Sequence, residues 1–306
     1  MTIRLRHLLC ALLLAVLASG SAAPALAAHE CGLELVASLD LDPVELPGRA
    51  MIGAEIKDTP QKMIIDTGAT QTMIDDAIVA QFGLLRTDVS AHFRMQDYYG
   101  NPIRQGAVIP YLKTGNLMAR DVHALILTQH LAAPAAGVIG PDLLMHYEVE
   151  LDFAKKKMNL FAPDHCPGQL VYWTRDPVVT VPMNIDAFGH IGLDVVLDGK
   201  PTPAHLDTGA PLSSMTLTNA TADFGLTPDS PGMTRKDVAT GTVYLHQFKS
   251  LSLGGVAISN PTIFVAGGQQ GQVKRDFLLG LREISKLHVL ISYKEKTLYV
   301  TAPDAH

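Results

Sequence analysis

The chain has 306 residues, of which 47% are hydrophobic and 18% are charged, and its formal net charge is −6. This length allows about two domains, and the composition excludes intrinsic disorder, which requires few apolar residues and a high net charge. The small negative charge provides no basic surface for nucleic acid or an anionic membrane, so neither is expected as a partner. Three cysteines are too few for a small disulfide framework.

The first 28 residues have the features of an export signal. Arg4 and Arg6 precede the ten-residue apolar run 8–17, and the small-residue stretch after it ends in an A-x-A site at residues 25–27. Ten helical residues rise only about 15 Å, which is too short for a membrane anchor, the alternative interpretation. We therefore predict a cleaved signal peptide over residues 1–28 and a periplasmic or secreted mature protein that no longer contacts a membrane.

Two cysteines remain after this cleavage, Cys31 and Cys166. Thiols tend to pair in an oxidising compartment, and chain-entropy arguments give about 4–5 kcal/mol of stabilisation for a bridge that closes so long a loop. Two free buried thiols are the alternative. We predict a structural disulfide between Cys31 and Cys166, because their spacing fits neither a metal site nor a redox C-x-x-C pair.

The mature sequence contains an internal repeat. Three segments recur in the same order at an offset of 140–142 residues: Ile65–Ala69 as Leu206–Ala210, Gln81–Leu84 as Asp223–Leu226, and Val138–Gly140 as Leu278–Gly280. Three matches in one order indicate a duplicated unit of about 120–140 residues. We predict an N-terminal lobe over residues 29–165, a Pro- and Gly-containing linker over 166–182, and a C-terminal lobe over 183–306.

Within each unit the pattern is typical of short strands. Glycine-containing turns at residues 113–116 and 254–255 lie between apolar stretches and predict β-hairpins. Short helices are predicted over 75–82, 142–147 and 282–287, and each half ends in a strand pair around a basic turn, over 151–160 and 291–300. Because the elements do not alternate as βαβ units, we predict a mainly β protein of two homologous barrel lobes related by a pseudo-two-fold axis.

The chemistry of the sequence lies in its two Asp-Thr-Gly turns, which begin at Asp66 and Asp207. An apolar strand that ends in Asp-Thr-Gly delivers a carboxylate at a sharp turn, where Gly allows close backbone approach and the Thr hydroxyl can bind a backbone group. Two such turns packed about a two-fold axis would bring the carboxylates together, and like charges at short distance cannot both ionise. The pair would then hold one proton, so that one member activates a water and the other protonates a carbonyl oxygen.

The two DTGA copies resemble the retropepsin-like aspartic proteases, because each follows apolar residues and is followed later by Ile139-Gly140 or Leu279-Gly280 before a short helix. Their duplication in one chain is similar to the two-lobed pepsin-like enzymes, and the sequence most resembles the exported bacterial members. The resemblance covers about residues 50–300. It implies lobes of the acid-protease β-barrel type and a catalytic role for both aspartates.

The resemblance also implies roles for other residues of the site. The Thr of each turn reaches across to the partner loop, which implies active-site support by Thr67 with Gly68 and by Thr208 with Gly209. The family's substrate-binding flap, a hairpin that closes over the substrate, maps to residues 98–101 and 239–242, and its proposed binding residues are Tyr98, Tyr99, Gly100, Thr240 and Gly241. The second hairpin lacks an aromatic residue at its tip, which implies asymmetric lobes with a dominant first flap.

The sequence carries no HExxH, GxSxG, P-loop or GxGxxG motif, so no metal or cofactor is predicted. These observations together predict an exported aspartic-type endopeptidase whose partner is an extended peptide or protein substrate, with a monomer favoured over a homodimer. Two alternatives stay open. The lobes could pair with their twins in another chain, or the fold could be a catalytically silent periplasmic protein that binds a peptide or other ligand.

Overall fold

The computed structural model describes residues 32–45, 48–90, 95–97, 101–238, 241–266 and 277–303, and the structural statements below concern these residues. In these ranges the chain forms 23 strands and 4 short helices. The prediction of a mainly β protein with few helices is therefore confirmed. None of the helices in the described ranges is long and apolar enough to cross a membrane.

The elements of the first half are β1 (Leu35–Asp40), β2 (Met51–Ile56), β3 (Thr59–Ile65), β4 (Met73–Ile74), α1 (Asp76–Phe82), β5 (Leu85–Asp88), β6 (Gln105–Thr114), β7 (Leu117–Ile126), β8 (Ala135–Ile139), α2 (Pro141–Leu144), β9 (Glu148–Asp152) and β10 (Lys157–Phe161). Those of the second half are β11 (Val179–Pro182), β12 (Asn184–Ile185), β13 (Ile191–Leu197), β14 (Lys200–Leu206), β15 (Ser214–Thr216), α3 (Leu217–Phe224), β16 (Met233–Val238), β17 (Gly241–Gln247), β18 (Ser250–Leu253), β19 (Val256–Ser259), β20 (Thr262–Ala266), β21 (Phe277–Leu279), α4 (Leu281–Ile284), β22 (His288–Ser292) and β23 (Thr297–Thr301).

Each half folds mostly into a sheet of its own. In the first half seven strands pair in the order β2-β3-β8-β4-β7-β6-β5, and a further pairing of β2 with β6 closes the sheet toward a barrel. In the second half ten strands form one sheet along the path β16-β17-β20-β15-β21-β14-β13-β18-β19, with β12 paired to β13. Both sheets contain the same parallel pair, β3 with β8 and β14 with β21, which reflects the internal repeat.

A third sheet joins the two halves. Its six strands run β1-β10-β9-β22-β23-β11, and the antiparallel pair β9–β22 crosses from one half to the other, with Glu150 opposite Leu290. The hairpins β9–β10 and β22–β23 are the strand pairs predicted at the end of each half. Because β11 lies within residues 166–182, part of the predicted linker is itself a strand. The lobe boundaries themselves stay predictions.

The burial pattern along single strands explains where the core lies. In β13 alternate residues are buried, namely Ile191, Leu193, Val195 and Leu197, as expected for a strand with one face on the core. By contrast β9 is buried along its whole length, because it occupies the centre of the shared sheet and both of its faces are covered.

Local turn and cap signals also form as the sequence predicts. The hairpin β6–β7 turns at Gly115, whose φ is 58°, and the hairpin β18–β19 turns at Gly254 and Gly255, both with positive φ. Glycine adopts this left-handed region without strain. The three predicted helices are present as α1, α2 and α4, each within a few residues of its predicted bounds.

Helix α3 is an element that the sequence analysis missed. Its N-terminus is capped by Thr216, whose side chain accepts from the N–H of Asn219, and it ends at Gly225 in the left-handed conformation. Helix α1 has the same arrangement, with Asp75 as N-cap and Gly83 as C-cap. The recurrence of the Phe-Gly-Leu segment in the second half was therefore the signal for a helix before it.

One face of the six-stranded sheet carries buried charged side chains. Glu148, Glu150 and Asp152 alternate along β9 and are each at most 3% exposed. Two buried histidines face them: Nε2 of His165 lies 2.8 Å from Oε1 of Glu148, and Nε2 of His288 lies 2.7 Å from Oε1 of Glu150. His165 belongs to the connection after β10, so its hydrogen bond to Glu148 fastens the connection to the shared sheet.

Candidate active site

The two Asp-Thr-Gly turns leave equivalent strands of the two lobes. Strands β3 and β14 each run parallel to a neighbour, β8 or β21, and each turn begins where the pair ends. The backbone N–H of Asp66 donates to the carbonyl oxygen of Ile139 at 3.1 Å, and that of Asp207 donates to the carbonyl oxygen of Leu279 at 3.0 Å. The parallel neighbour thus fixes the backbone from which each carboxylate projects.

The threonines of the two turns form reciprocal hydrogen bonds between the lobes. Oγ1 of Thr67 donates to the carbonyl oxygen of Leu206 at 2.8 Å and accepts from the N–H of Thr208 at 3.1 Å. Oγ1 of Thr208 donates to the carbonyl oxygen of Ile65 at 2.8 Å and accepts from the N–H of Thr67 at 3.1 Å. Both threonines are buried, so these bonds satisfy backbone groups that have no access to water and hold the turns together.

The glycines of the turns allow the carboxyl groups to meet. A Cβ atom at Gly68 would lie 2.6 Å from Oδ1 of Asp207, and a Cβ atom at Gly209 would overlap the carboxyl group of Asp66. Each carboxyl group therefore packs directly against the backbone of the opposite turn. Any residue with a side chain would push it away.

The carboxyl group of each aspartate packs against the glycine of the opposite turn, so the charge of Asp207 acts on Asp66 at close range. Burial and the adjacent Asp207 raise the pKa of Asp66 to about 8. Backbone N–H groups support both carboxylates: Gly68 donates to Oδ1 of Asp66 at 2.9 Å, and Ala210 donates to Oδ1 of Asp207 at 2.9 Å. Two carboxyl groups in contact cannot both ionise, so the pair retains one proton near neutral pH.

Behind the first turn, a hydroxyl and a carboxylate brace the backbone. The N–H of Gly140 donates to Oγ1 of Thr72 at 3.2 Å, and this hydroxyl donates to Oδ1 of Asp142 at 2.8 Å. The backbone N–H of Thr72 donates to the same carboxylate oxygen at 2.7 Å. Burial raises the pKa of Asp142.

The second lobe repeats this brace with different residue types. The N–H of Gly280 donates to Oγ of Ser213 at 2.9 Å, and Ser213 donates to Oε2 of Glu283. Burial raises the pKa of Glu283, and its Oε1 is buried without a hydrogen-bond partner in the described part of the chain. The sequence analysis missed both braces, although each hydroxyl and each acid recurs at the repeat offset of 141.

Arg49 adds a cation to the edge of the site. Its side chain is exposed, and Nη1 donates to the carbonyl oxygen of Gly209 in the second turn. The positive charge is close enough to Asp66 to lower the pKa of that carboxyl in part, against the larger effects of burial and Asp207. No motif in the sequence singles out this residue.

Several predicted residues lie outside the part of the chain that the structure describes. They are Tyr98, Tyr99, Gly100, Thr240 and Cys31. Gly241 is the first residue of β17 and pairs with Val238 across the β16–β17 ladder. The substrate-binding role of these flap residues and the pairing of Cys31 with Cys166 stay predictions.

One group among the described residues brings metal-type ligand atoms together. Atoms of Glu150, Asp152 and His288 lie within 4.8 Å of one another. The group is on the shared sheet rather than at the Asp-Thr-Gly turns, and Nε2 of His288 is already hydrogen-bonded to Glu150. We interpret it as a buried ion-pair network and assign no metal to it.

Comparison with known families and structures places the two turns in matched segments. A family model described as "gag-polyprotein putative aspartyl protease" matches residues 52–146, and one described as "Aspartyl protease" matches residues 193–282. The fold is similar to the crystal structure of Basic 7S globulin from soybean, with a TM-score of 0.55 and 12% identity over 88% of this chain and 97% of that one. Such low identity shows likeness of fold alone. Comparison with curated proteins gives no match.

Proposed function

Since the chain belongs to the retropepsin-like and pepsin-like family of aspartic proteases, we propose that it is an exported endopeptidase in which Asp66 and Asp207 form one catalytic dyad. The observation that carries this proposal is the close approach of the two carboxyl groups within a single chain, each packed against the glycine of the opposite turn. The reciprocal threonine bonds support it, because they hold the two turns in the arrangement that this contact requires.

The proposed reaction follows from the one proton that the dyad holds. Asp66, whose pKa is raised, carries the proton at rest. The ionised Asp207 takes a proton from a water molecule, whose oxygen attacks the peptide carbonyl carbon, while Asp66 donates its proton to the carbonyl oxygen. Proton transfer from Asp207 to the amide nitrogen then lets the C–N bond break, which releases a carboxylic acid and an amine, and Asp66 recovers its proton from the collapsing diol.

The proposed substrate is an extended peptide or protein segment. A cavity of about 390 Å³ lies directly beside the first turn, and its lining includes Thr70, Gln71, Met145 and Phe188. Extended segments bind by strand-like backbone bonds together with pockets for alternate side chains. The lining of this cavity includes neither Asp66 nor Asp207, so we assign it to a side chain of the substrate away from the cleaved bond.

The export and the monomeric state are parts of the same proposal. The signal-like residues 1–28 support cleavage near residue 27 and a periplasmic or secreted location, which N-terminal sequencing of the mature protein would test. The dyad requires no second chain, since both carboxyl groups come from one.

The deciding experiment measures peptide-library cleavage between pH 3 and 8 by the mature protein, with and without a statine-type inhibitor. Asp66→Asn and Asp207→Asn should each abolish cleavage, because either change removes the shared proton or its acceptor. The matched control is Asp194→Asn, an exposed aspartate on β13, which should cleave like the wild type. If each single variant keeps part of the activity, the lobes act in a homodimer. If the wild type binds peptides but cleaves none, the protein is the silent binding protein.

The pH dependence gives a second test of the dyad. We expect a bell-shaped profile of kcat/KM, because activity requires one proton on the pair. The alkaline limb should follow loss of that proton near pH 8, in accordance with the raised pKa of Asp66. A profile that stays flat through both limbs would contradict the proposed mechanism.

A further inference from the structure

Arg49, Gly209 and Asp66 form a contiguous row at the edge of the dyad. Nη1 of Arg49 donates to the carbonyl oxygen of Gly209, and the carboxyl group of Asp66 packs against the α-carbon of the same glycine. Arg49 belongs to the first half and Gly209 to the second, so the contact spans the lobes. It holds a guanidinium group beside the proposed reaction centre.

Arg49 lies near the Asp66 carboxyl, but it forms no salt bridge in the part of the chain that the structure describes. The ion pairs within the described ranges do not include Arg49. The residue at the repeat offset of 141 in the second half is His190, and it is already satisfied. The Nδ1 atom of His190 lies 2.9 Å from Oδ2 of Asp186, and the backbone N–H of His190 donates to Oδ1 of Asp186 at 3.0 Å. At this equivalent position the second half therefore carries a histidine bound to an aspartate in place of an arginine.

An exposed, unpaired guanidinium group is suited to bind a carboxylate. Arginine carries five N–H donors in a planar arrangement, and among the described residues the side chain of Arg49 donates only to Gly209. Its remaining donors match the two oxygens of a carboxylate, which makes bidentate pairing favourable. The net charge of the chain is −6, so a cation beside the dyad also offsets the repulsion that an acidic substrate would meet.

We propose that Arg49 binds an acidic side chain of the substrate close to the cleaved bond, and that the enzyme prefers peptides with Glu or Asp at that position. The proposal rests on the proposed function, because it concerns the substrate of the same dyad. Arg49 is here a specificity-determining residue and takes no part in proton transfer.

The test uses fluorogenic peptides derived from one cleaved sequence, with Glu, Gln or Lys placed in turn at each of the three positions on either side of the bond. At pH 6 and low salt we expect kcat/KM for Glu to exceed that for Gln about tenfold at one position, as for a hydrogen bond to a charged group. Arg49→Ala should remove this preference, and Arg49→Glu should reverse it in favour of Lys. Arg175→Ala, which removes another exposed arginine in the connection, is the matched control and should keep the preference.

A binding measurement separates this inference from the proposed function. Fluorescence polarisation uses labelled library peptides of one sequence that carry Glu, Gln or Lys at a single position. Their binding to the Asp207→Asn variant, with and without Arg49→Glu, reports recognition without turnover. Charge-dependent binding in the absence of wild-type cleavage would overturn the endopeptidase and leave the role of Arg49 standing. Cleavage that ignores peptide charge, or a preference that Arg49→Glu leaves unchanged, would overturn the role of Arg49 alone. Thermal unfolding of each variant confirms that it is folded.

Discussion

Gly68 and Gly209 determine how near each carboxyl group comes to the opposite turn. Neither glycine has a positive φ. Glycine is therefore required at these positions because there is no space for a side chain, and not because of the backbone conformation. At both positions a Cβ atom would collide with a carboxyl group of the dyad. A dyad of this closeness can therefore form only where both turns end in glycine.

Replacement of Gly68 by alanine should damage activity more than stability. The new methyl group would displace Asp207, so we expect a loss of at least about 100-fold in kcat/KM, with about 1–3 kcal/mol of destabilisation from overpacking. Peptide cleavage and urea unfolding measure the two effects. Gly192→Ala is the control, since the nearest atom to its Cβ would lie 3.5 Å away. Comparable activity of the two variants would show that the close approach is not required.

The raised pKa of Asp66 should make stability depend on pH. Its folded-state pKa is about 8, against about 3.9 in the unfolded chain, so between these values the folded state binds more protons. The free energy of unfolding should accordingly fall as pH rises from 4 to 8. The free energy of unfolding of the Asp66→Asn variant should fall less over this pH range. Urea titrations at several pH values would measure both proteins. Parallel curves for the two proteins would contradict the assignment of the proton to Asp66.

At the scale of elements, the connection after β10 is held to the shared sheet by a buried contact between a histidine and a glutamate. Glu148 on β9 is fully buried and pairs with His165 of the connection, whose Nδ1 lies 3.1 Å from the carbonyl oxygen of Cys166. A little farther along, the ring of Trp173 stacks on His288 at 4.0 Å. A buried charge is tolerated only with its partner, so the connection and the sheet depend on each other.

Loss of one partner of this pair should therefore cost more than loss of both. His165→Leu would leave the Glu148 carboxylate buried and unpaired, because its Oε2 already has no partner in the described part of the chain. We expect the free energy of unfolding to fall by about 3–5 kcal/mol. The double variant His165→Leu/Glu148→Leu should recover more than half of that loss in urea unfolding. A cost below about 1 kcal/mol for the single change would show that the pair carries little energy.

At the scale of the whole molecule, the six-stranded sheet and the reciprocal threonine bonds connect the two halves. Strand β9 of the first half pairs along its length with β22 of the second. Without the other half, β9 and β22 would each lack a neighbouring strand on this side. The duplicated units have therefore become interdependent, in contrast to two independent domains joined by a linker.

Separated halves should for this reason be unstable and inactive. We expect residues 29–165 and 183–306, produced as separate chains, to lack cooperative thermal unfolding, because each exposes an edge of the shared sheet. Circular dichroism and cleavage assays measure both properties, with the undivided mature chain as control. Cooperative unfolding of either half alone would show that the shared sheet is not essential for its fold.

The local signals in the sequence predicted much of the fold. Glycine turns, helix caps and alternating apolar residues act over a few positions, so the hairpins at Gly115 and Gly254 and three of the four helices could be identified. The repeat indicated the two-lobed fold and the family. The fold likeness confirms the first, and the two family matches confirm the second. The repeat also contained the evidence for α3, because the Phe-Gly-Leu segment that follows α1 recurs at its end.

By itself the sequence determined a duplicated β fold with two Asp-Thr-Gly turns, because the duplication and the turns can both be recognised from short motifs and their spacing. Only the tertiary structure decided that β9 and β22 join the halves, that Arg49 contacts Gly209, and that Glu148 meets His165. These contacts connect residues far apart along the chain, and they depend on how whole sheets pack. Their residue types, such as an exposed arginine or a glutamate in a strand, do not predict a contact partner, because that partner is set by the fold.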